Sequence, residues 1–292
     1  MSSIEPRRPG KWRSLLEELE ALGFHPSRTR GQNFLFDDSM LDAIVSDARL
    51  EDGDPVLEVG PGCGVLTERL APRASEVLAV ELDPRLAELT RRRLAEHPNV
   101  RVLEGDALDG KHALNPAVVD WCARQPRWRL VANLPYSVGT PILVACSRLA
   151  TPPKSMTVLL QRELVDRIAA HPGDEHWGAV SAKLQALYEV RRGRRVGPQM
   201  FWPRPSVDSA VVRLDLLAER PSADALARSD ALATHLFAQR RKTLRSRLSE
   251  LVGGRDAAQT LCVSLGLDPE VRPERLTVAQ LGVLAERLHS GA

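Results

Sequence analysis

Four short apolar runs, each closed by a polar or glycine residue, set the narrowest limit on what this chain can become. They are Val56-Leu57-Glu58-Val59 before Gly60-Pro61-Gly62-Cys63-Gly64, Val77-Leu78-Ala79-Val80 before Glu81, Val100-Arg101-Val102-Leu103 before Glu104-Gly105-Asp106-Ala107, and Leu130-Val131-Ala132 before Asn133. Runs of this length, rich in valine and leucine, read as buried strands. Helical stretches at Val65 to Leu70, Asp83 to about Glu96 and Ala117 to Ala123 lie between them, which predicts an α/β fold on a parallel sheet. Further strands at Met156 to Gln161, Leu184 to Val190 and Ser209 to Leu214, with helices at Thr140 to Leu149 and Arg162 to Ala170, bring the sheet to about seven strands.

The residues that close the four runs then fall at the carboxyl ends of successive strands, where open α/β sheets bind ligands. Gly60, Gly62 and Gly64 allow a tight turn and close backbone approach, and the following helix start adds N–H donors. Their spacing differs from the Gly-x-Gly-x-x-Gly of dinucleotide folds. With Glu58 just before it, the pattern is that of S-adenosylmethionine binding in class I methyltransferases, whose sheet is Rossmann-like. Glu81 can accept both hydrogens of a ribose diol. Asp106, followed by Ala107, can accept an adenine amino hydrogen, or can simply cap a helix or end a strand in solvent. In Asn133-Leu134-Pro135-Tyr136 the Asn133 carboxamide oxygen and the Leu134 carbonyl can hold the hydrogens of an exocyclic amine, which favours a pyramidal nitrogen; Pro135 fixes the turn and Tyr136 stacks on the base. The plain alternative is an ordinary strand-end turn.

Elsewhere the chain offers partners more than chemistry. Lys11 to Leu22 and Asp38 to Ala48 have helical period, and between them His25 to Leu35 combines basic residues with Gln32 and Asn33, as if laid over a ligand. Arg191-Arg192-Gly193-Arg194-Arg195, expected between the last two strands, and Arg204 beside Phe201, Trp202 and prolines suit a nucleic-acid backbone, with Phe201 bordering a flipped base; a solvated charge run with both rings in the core reads equally well. Ala218 to Ser229 reads as a polar linker. Thr234 to Leu251 follows as a helix whose Arg240, Arg241, Lys242, Arg245 and Arg247 face phosphates or solvent, and helices at Ala257 to Leu265 and Val278 to Leu288 end a small helical domain. The net charge is only +2, so distribution, not total, points to a polyanion. Cys63, Cys122, Cys146 and Cys262 are scattered, with no metal-ligand spacing, and a third ligand beside His171 and His176 is missing, so no metal is expected. No apolar leader or membrane span is evident, and a cytoplasmic protein with reduced thiols is expected.

Taken in order, Gly31-Gln32-Asn33-Phe34-Leu35, Glu58 to Gly64, Asn133 to Tyr136, Phe201-x-Pro203-x-Pro205-x-Val207-Asp208-Ser209-Ala210 and Arg240-Arg241-Lys242-Thr243-Leu244 resemble the motifs of the ribosomal RNA adenine dimethyltransferases of the small-subunit dimethyladenosine transferase type. The resemblance implies a class I S-adenosylmethionine-dependent methyltransferase domain at 31–216, after a helical and basic extension at 1–30, and a helical RNA- and ribosome-binding domain at 217–292. It implies transfer of two methyl groups to N6 of each of two adjacent adenosines in the 3′-terminal hairpin loop of 16S rRNA. The partner would be an immature small ribosomal subunit and the enzyme a monomer, with a role in subunit biogenesis. Asn33, Leu35, Gly60, Glu81, Asp106 and Asn133 match the family's cofactor positions. Leu134 stands where isoleucine is frequent, and the stretch Gly110 to Trp128 is a long insert. Two other readings are a large-subunit (23S) adenine methyltransferase of the macrolide-resistance type, against which the Arg-Arg-Lys-Thr-Leu segment and sizeable tail argue, and a non-catalytic ribosome-assembly or nucleic-acid-binding factor, which an intact Asn-Leu-Pro-Tyr disfavours.

Overall fold

The computed structural model describes residues 10–27 and 31–290. Arg28 and Arg30 of the predicted ligand-covering segment, and residues 1–9, lie outside the described residues. Seven strands form the central sheet: β1 (Val56–Val59), β2 (Val77–Glu81), β3 (Val100–Glu104), β4 (Arg129–Asn133), β5 (Ser155–Gln161), β6 (Tyr188–Val196) and β7 (Ser209–Leu216), in the spatial order β3-β2-β1-β4-β5-β7-β6. Strands β1 and β2 are buried at every residue, as expected of parallel strands covered on both faces.

Register does the positioning. Val56 pairs with Val77 and Arg129, Val77 with Val100, and Arg129 with Ser155, all in parallel. Five strands therefore start level, and Gly60, Glu81, Asp106 and Asn133 come out at or just beyond one carboxyl edge. The helices between them are fixed by local caps. Asp83 accepts from the Arg85 N–H ahead of Pro84, starting Pro84–Arg93, and Asn115 accepts from Ala117 ahead of Pro116, starting Pro116–Arg124.

The chain divides into two compact units, residues 1–162 with 193–213, and residues 163–192 with 214–292. This differs from a contiguous division at 30 and 216. Trp12, Leu15, Leu19 and Phe24 belong to the core of the first unit, so residues 10–27 are no separate extension. Residues 163–192 join the second unit because Ala170, Trp177 and Ala182 pack into one cluster with Leu232, Leu236, Phe237, Leu244, Leu248 and Cys262.

Four sequence expectations fail for identifiable reasons. Leu184 is not in a strand: it ends the helix Ala179–Gln185, where the Gln185 amide donates to the carbonyls of Ile168 and Ala170. Strand β6 begins only at Tyr188 and takes in all of Arg191 to Arg195; it lies at the end of the sheet, where charge on a strand is tolerated. The polar stretch before residue 230 is mostly helix: Ser222 caps Ala223–Phe237, and Leu226, Leu232 and Leu236 form its buried face. The helix expected to run to Leu251 stops at Phe237, and a short one, Leu244–Leu248, restarts after the Thr243 cap with its Leu244 and Arg245 N–H groups given to the carbonyls of Val271 and Pro269.

Candidate active site

A cavity of about 240 Å³ opens at the carboxyl edge of the first unit's strands. Its floor is the turn after β1. Gly62 donates its N–H to Glu81 Oε2 at 2.9 Å, while Asp83 N–H takes Oε1 at 2.9 Å. The turn and the end of β2 are thus tied through one carboxylate, each of whose oxygens keeps a lone pair for a ligand. Burial raises the Glu81 pKa despite those N–H donors. Glu58 is pushed up to about 8, by burial first and also by the charge of Glu81, with the nearby Thr67 hydroxyl opposing the shift, and no hydrogen bond of ordinary length reaches its Oε2 among the described residues. A buried acceptor of this kind, on the cavity wall, suits a cationic group, whose charge would draw the proton off.

Gly62 has φ +60, and a Cβ there would lie 2.7 Å from the Phe34 ring. Gly62→Ala combines left-handed strain with overpacking, so a loss of about 1–3 kcal/mol is expected, read as a lower midpoint in thermal unfolding. Gly64 does not line the cavity; a Cβ there would meet Thr90 at 3.2 Å, which makes it a packing residue.

The remaining walls come from the other strand ends and from the segment around Asn33. Gln32, Asn33, Leu35, Asp106, Ala107, Asn133 and Pro135 all line the cavity. Asp106 spends Oδ1 on the Leu108 N–H at 2.9 Å and keeps Oδ2. Gln32 uses Oε1 to accept from the Ser27 N–H at 2.8 Å, so its side chain closes a loop as well as facing the cavity. The Asn133 amide nitrogen donates to the Asn33 carbonyl at 3.0 Å, leaving the amide oxygen as acceptor. Leu134 is buried and its N–H goes to the Leu159 carbonyl at 3.2 Å, so what it can offer a ligand is backbone. Tyr136 is half-buried and, like Leu134, does not itself line the cavity; its hydroxyl lies 2.6 Å from Ser209 Oγ, burial raises its pKa, and the tie fixes the ring.

Phe201 is the correction. It is wholly buried and pairs with Leu35 in a two-residue antiparallel ladder, so it offers no ring face to a base. The core alternative holds for it, and Trp202, partly buried, stacks on Phe34 and Phe36. Sequence reasoning passed over Leu82, half exposed yet on the cavity wall. Its signal was an apolar residue immediately after the strand-end Glu81. The donor set as a whole fits S-adenosylmethionine: paired acceptors at Glu81, a further acceptor at Asp106, apolar Leu35 and Leu82, and the unpartnered Glu58 oxygen for a cation.

The basic residues divide differently. Arg191 pairs with Glu189, Arg192 with Asp166 and Arg194 with Asp47, while Arg195 and Arg204 are exposed. Arg240 donates to the carbonyls of Glu175 and Trp177, Arg245 pairs with Glu270 at 2.6 Å, and Arg247 is buried, bonded to the His235 carbonyl and to Glu250. All three are tied to groups of the helical unit, and Arg247 is structural there. Arg241 and Lys242 stay exposed in the turn before Thr243.

Known proteins resemble this chain over most of its length. The ribosomal RNA small subunit methyltransferase A of Thermobifida fusca is 40% identical over 270 residues, covering 91% of each chain, and that of Alkaliphilus oremlandii is 36% identical, covering 96% of each. Among solved structures, a dimethyladenosine transferase from Plasmodium falciparum superposes with a TM-score of 0.71 at 23% identity, covering 86% of this chain and 95% of that one, a likeness of fold. The 23S rRNA methyltransferase ErmE gives 0.62 at 28%, covering 87% and 100%. The family model described as ribosomal RNA adenine dimethylase matches residues 24–289, and with relatives this similar over nearly the whole length, the chain belongs to the ribosomal RNA adenine dimethylase family.

Proposed function

We propose that this protein is an rRNA adenine N6,N6-dimethyltransferase that acts on two adjacent adenosines in the 3′-terminal hairpin loop of 16S rRNA, with the assembling small ribosomal subunit as its substrate particle. The observation that carries the reading is that one cavity is walled by Gly60, Gly62, Glu81, Asp106 and Asn133, the ends of four neighbouring strands. S-adenosylmethionine, when bound, supplies an electrophilic methyl group on a sulfonium. Glu81 would hold the ribose diol, Asp106 Oδ2 the cofactor's adenine amine, and Glu58 the cationic end. Asn133 Oδ1 and the Leu134 carbonyl would accept the hydrogens of the target N6, holding its lone pair out of conjugation with the ring. Tyr136, held by Ser209, supplies a fixed stacking face for the extruded base.

Small-subunit relatives at 36–40% identity over more than nine-tenths of the chain weigh against the large-subunit alternative. The direct test is methylation of small subunits from a strain lacking the modification, with mass spectrometry of the rRNA. Two dimethyladenosines in the terminal hairpin are expected; product confined to large-subunit rRNA would defeat the assignment.

The exposed turn residues are proposed to meet phosphates. Arg241→Ala with Lys242→Ala is expected to weaken association with small subunits and to lower the slope of log K against log salt by about 1 to 2. Binding measured from low to moderate salt checks this, and an unaltered slope would return both residues to the solvent. Arg240 is left intact because it is tied to carbonyls of the helical unit.

A further inference from the structure

An asparagine at the reacting nitrogen is useful in only one of its two orientations. Its oxygen accepts from an amine, whereas its NH₂ would point donors at donors. Nothing in the residue itself chooses between them, since oxygen and nitrogen are nearly the same size. In this chain the choice is made from outside the strand that carries Asn133. The Asn33 carbonyl, a hundred positions earlier, lies 3.0 Å from Asn133 Nδ2, so the nitrogen is consumed there and the oxygen is the end left over.

The carbonyl is itself held in place. Asn33 Nδ2 donates back to the Gly31 carbonyl at 3.2 Å, which closes the short turn. Gly31 has φ +65, and a Cβ on it would lie 3.0 Å from the Tyr136 backbone nitrogen and 3.6 Å from that of Ser137. The turn therefore rests directly on the Asn-Leu-Pro-Tyr loop, at a distance that the absence of a side chain permits.

We infer that the Gly31–Asn33 turn is a positioning element for the reaction: the Asn33 main-chain carbonyl sets the Asn133 amide with its oxygen toward the substrate amine, and Gly31 is the residue that lets the turn approach. This rests on the methyl-transfer reading above, and it assigns Asn33 a task carried by its backbone, separate from any contact of its side chain with the cofactor.

The test separates the contact from its consequence. The side-chain NH₂ resonances of Asn133 are identified in the ¹H–¹⁵N spectrum of the free, full-length protein as the pair lost in Asn133→Asp. In the wild type one of the two protons is expected to be shifted and slow to exchange, and in Gly31→Ala the pair is expected to move to solvated values. Single-turnover transfer to unmodified small subunits should then fall about 10²-fold in Gly31→Ala, with the KM for subunits unchanged. Asn133→Asp should fall by a similar factor although it keeps its oxygens, because one of them would face the Asn33 carbonyl without a proton between them. A solvated Asn133 pair in the wild type would overturn the contact. A wild-type rate in Asn133→Asp, or in Gly31→Ala with the pair released, would overturn the positioning role, and the first of these stands even where Gly31→Ala does not fold. A protected pair in a wild-type chain that transfers no methyl group would instead overturn the methyl-transfer reading, and the catalytic meaning of the contact with it.

Discussion

Asn133→Ala is expected to lower methyl transfer to small subunits by about 10² to 10³, the usual effect of removing one preorganised polar group from a reacting centre. Binding of the subunits should change little, because Asn133 lies on the cavity wall and carries no charge. The reason for so large an effect is that a conjugated amine is a poor nucleophile, and the site supplies acceptors for it where other sites supply a base. The cavity does hold three carboxyl groups, but they stand at the ends of other strands or in the core: Glu81 is bound by the N–H groups of Gly62 and Asp83, Asp106 accepts from the Leu108 N–H, and Glu58 is buried, which pushes its pKa up to about 8. Single-turnover rates beside equilibrium binding of the same variant decide the matter; full activity in Asn133→Ala would remove the mechanism.

The second large effect concerns stability, at the opposite end of the strands. Arg129, 2% exposed, pairs with the wholly buried Asp54, donates to Ser155 Oγ at 3.0 Å and reaches Glu51 at 3.1 Å. Arg127 and Lys154 close the network on Asp54 and Glu51. Asp54→Ala leaves a guanidinium buried without its main counter-charge, which costs about 3–5 kcal/mol and lowers the thermal midpoint by roughly 6–20 °C. Replacing the pair together, Asp54→Leu with Arg129→Met, should recover most of that loss, since no orphan charge remains. A double variant no more stable than Asp54→Ala would refute this account. Burial alone would raise the Asp54 pKa, but the Glu51 N–H and the two arginines outweigh it, and the net shift is downward. The carboxylate's contribution is therefore complete above its ordinary value of 3.8 and is lost as the pH falls through the lower folded value.

How much of this was legible depends on whether the information was local. The strand ends were readable because a parallel strand buried on both faces is a nearly continuous apolar run, and its end is the first residue to break the run with a polar or glycine type; Gly60, Glu81 and Asn133 all announce themselves so, although Glu81 is itself buried. Caps were readable for the same reason, as at Asp83 before Pro84. The reading failed where composition misstates environment. Ser222 to Ser229 looks like a linker because serine, alanine and aspartate are small and polar, yet a single serine cap and a leucine every few residues make it a helix. Phe201 was drawn toward the substrate by its proline-rich neighbours, when its strand pairing with Leu35 puts it in the core. The ties from Asn33 to Asn133 and from Tyr136 to Ser209 were out of reach, since they join residues 100 and 73 positions apart and neither partner's type demands the other.

The arginine-rich strand β6 has a further consequence. Arg191, Arg192 and Arg194 already hold carboxylates at Glu189, Asp166 and Asp47. A phosphate that engages any of them must first evict an anion of the protein's own, so the attraction is a trade between two negative groups. Successive side chains on a strand point to opposite faces, so Arg191 stands apart from Arg192 and Arg194, and a run that reads as one basic patch along the sequence is divided between two sides of β6.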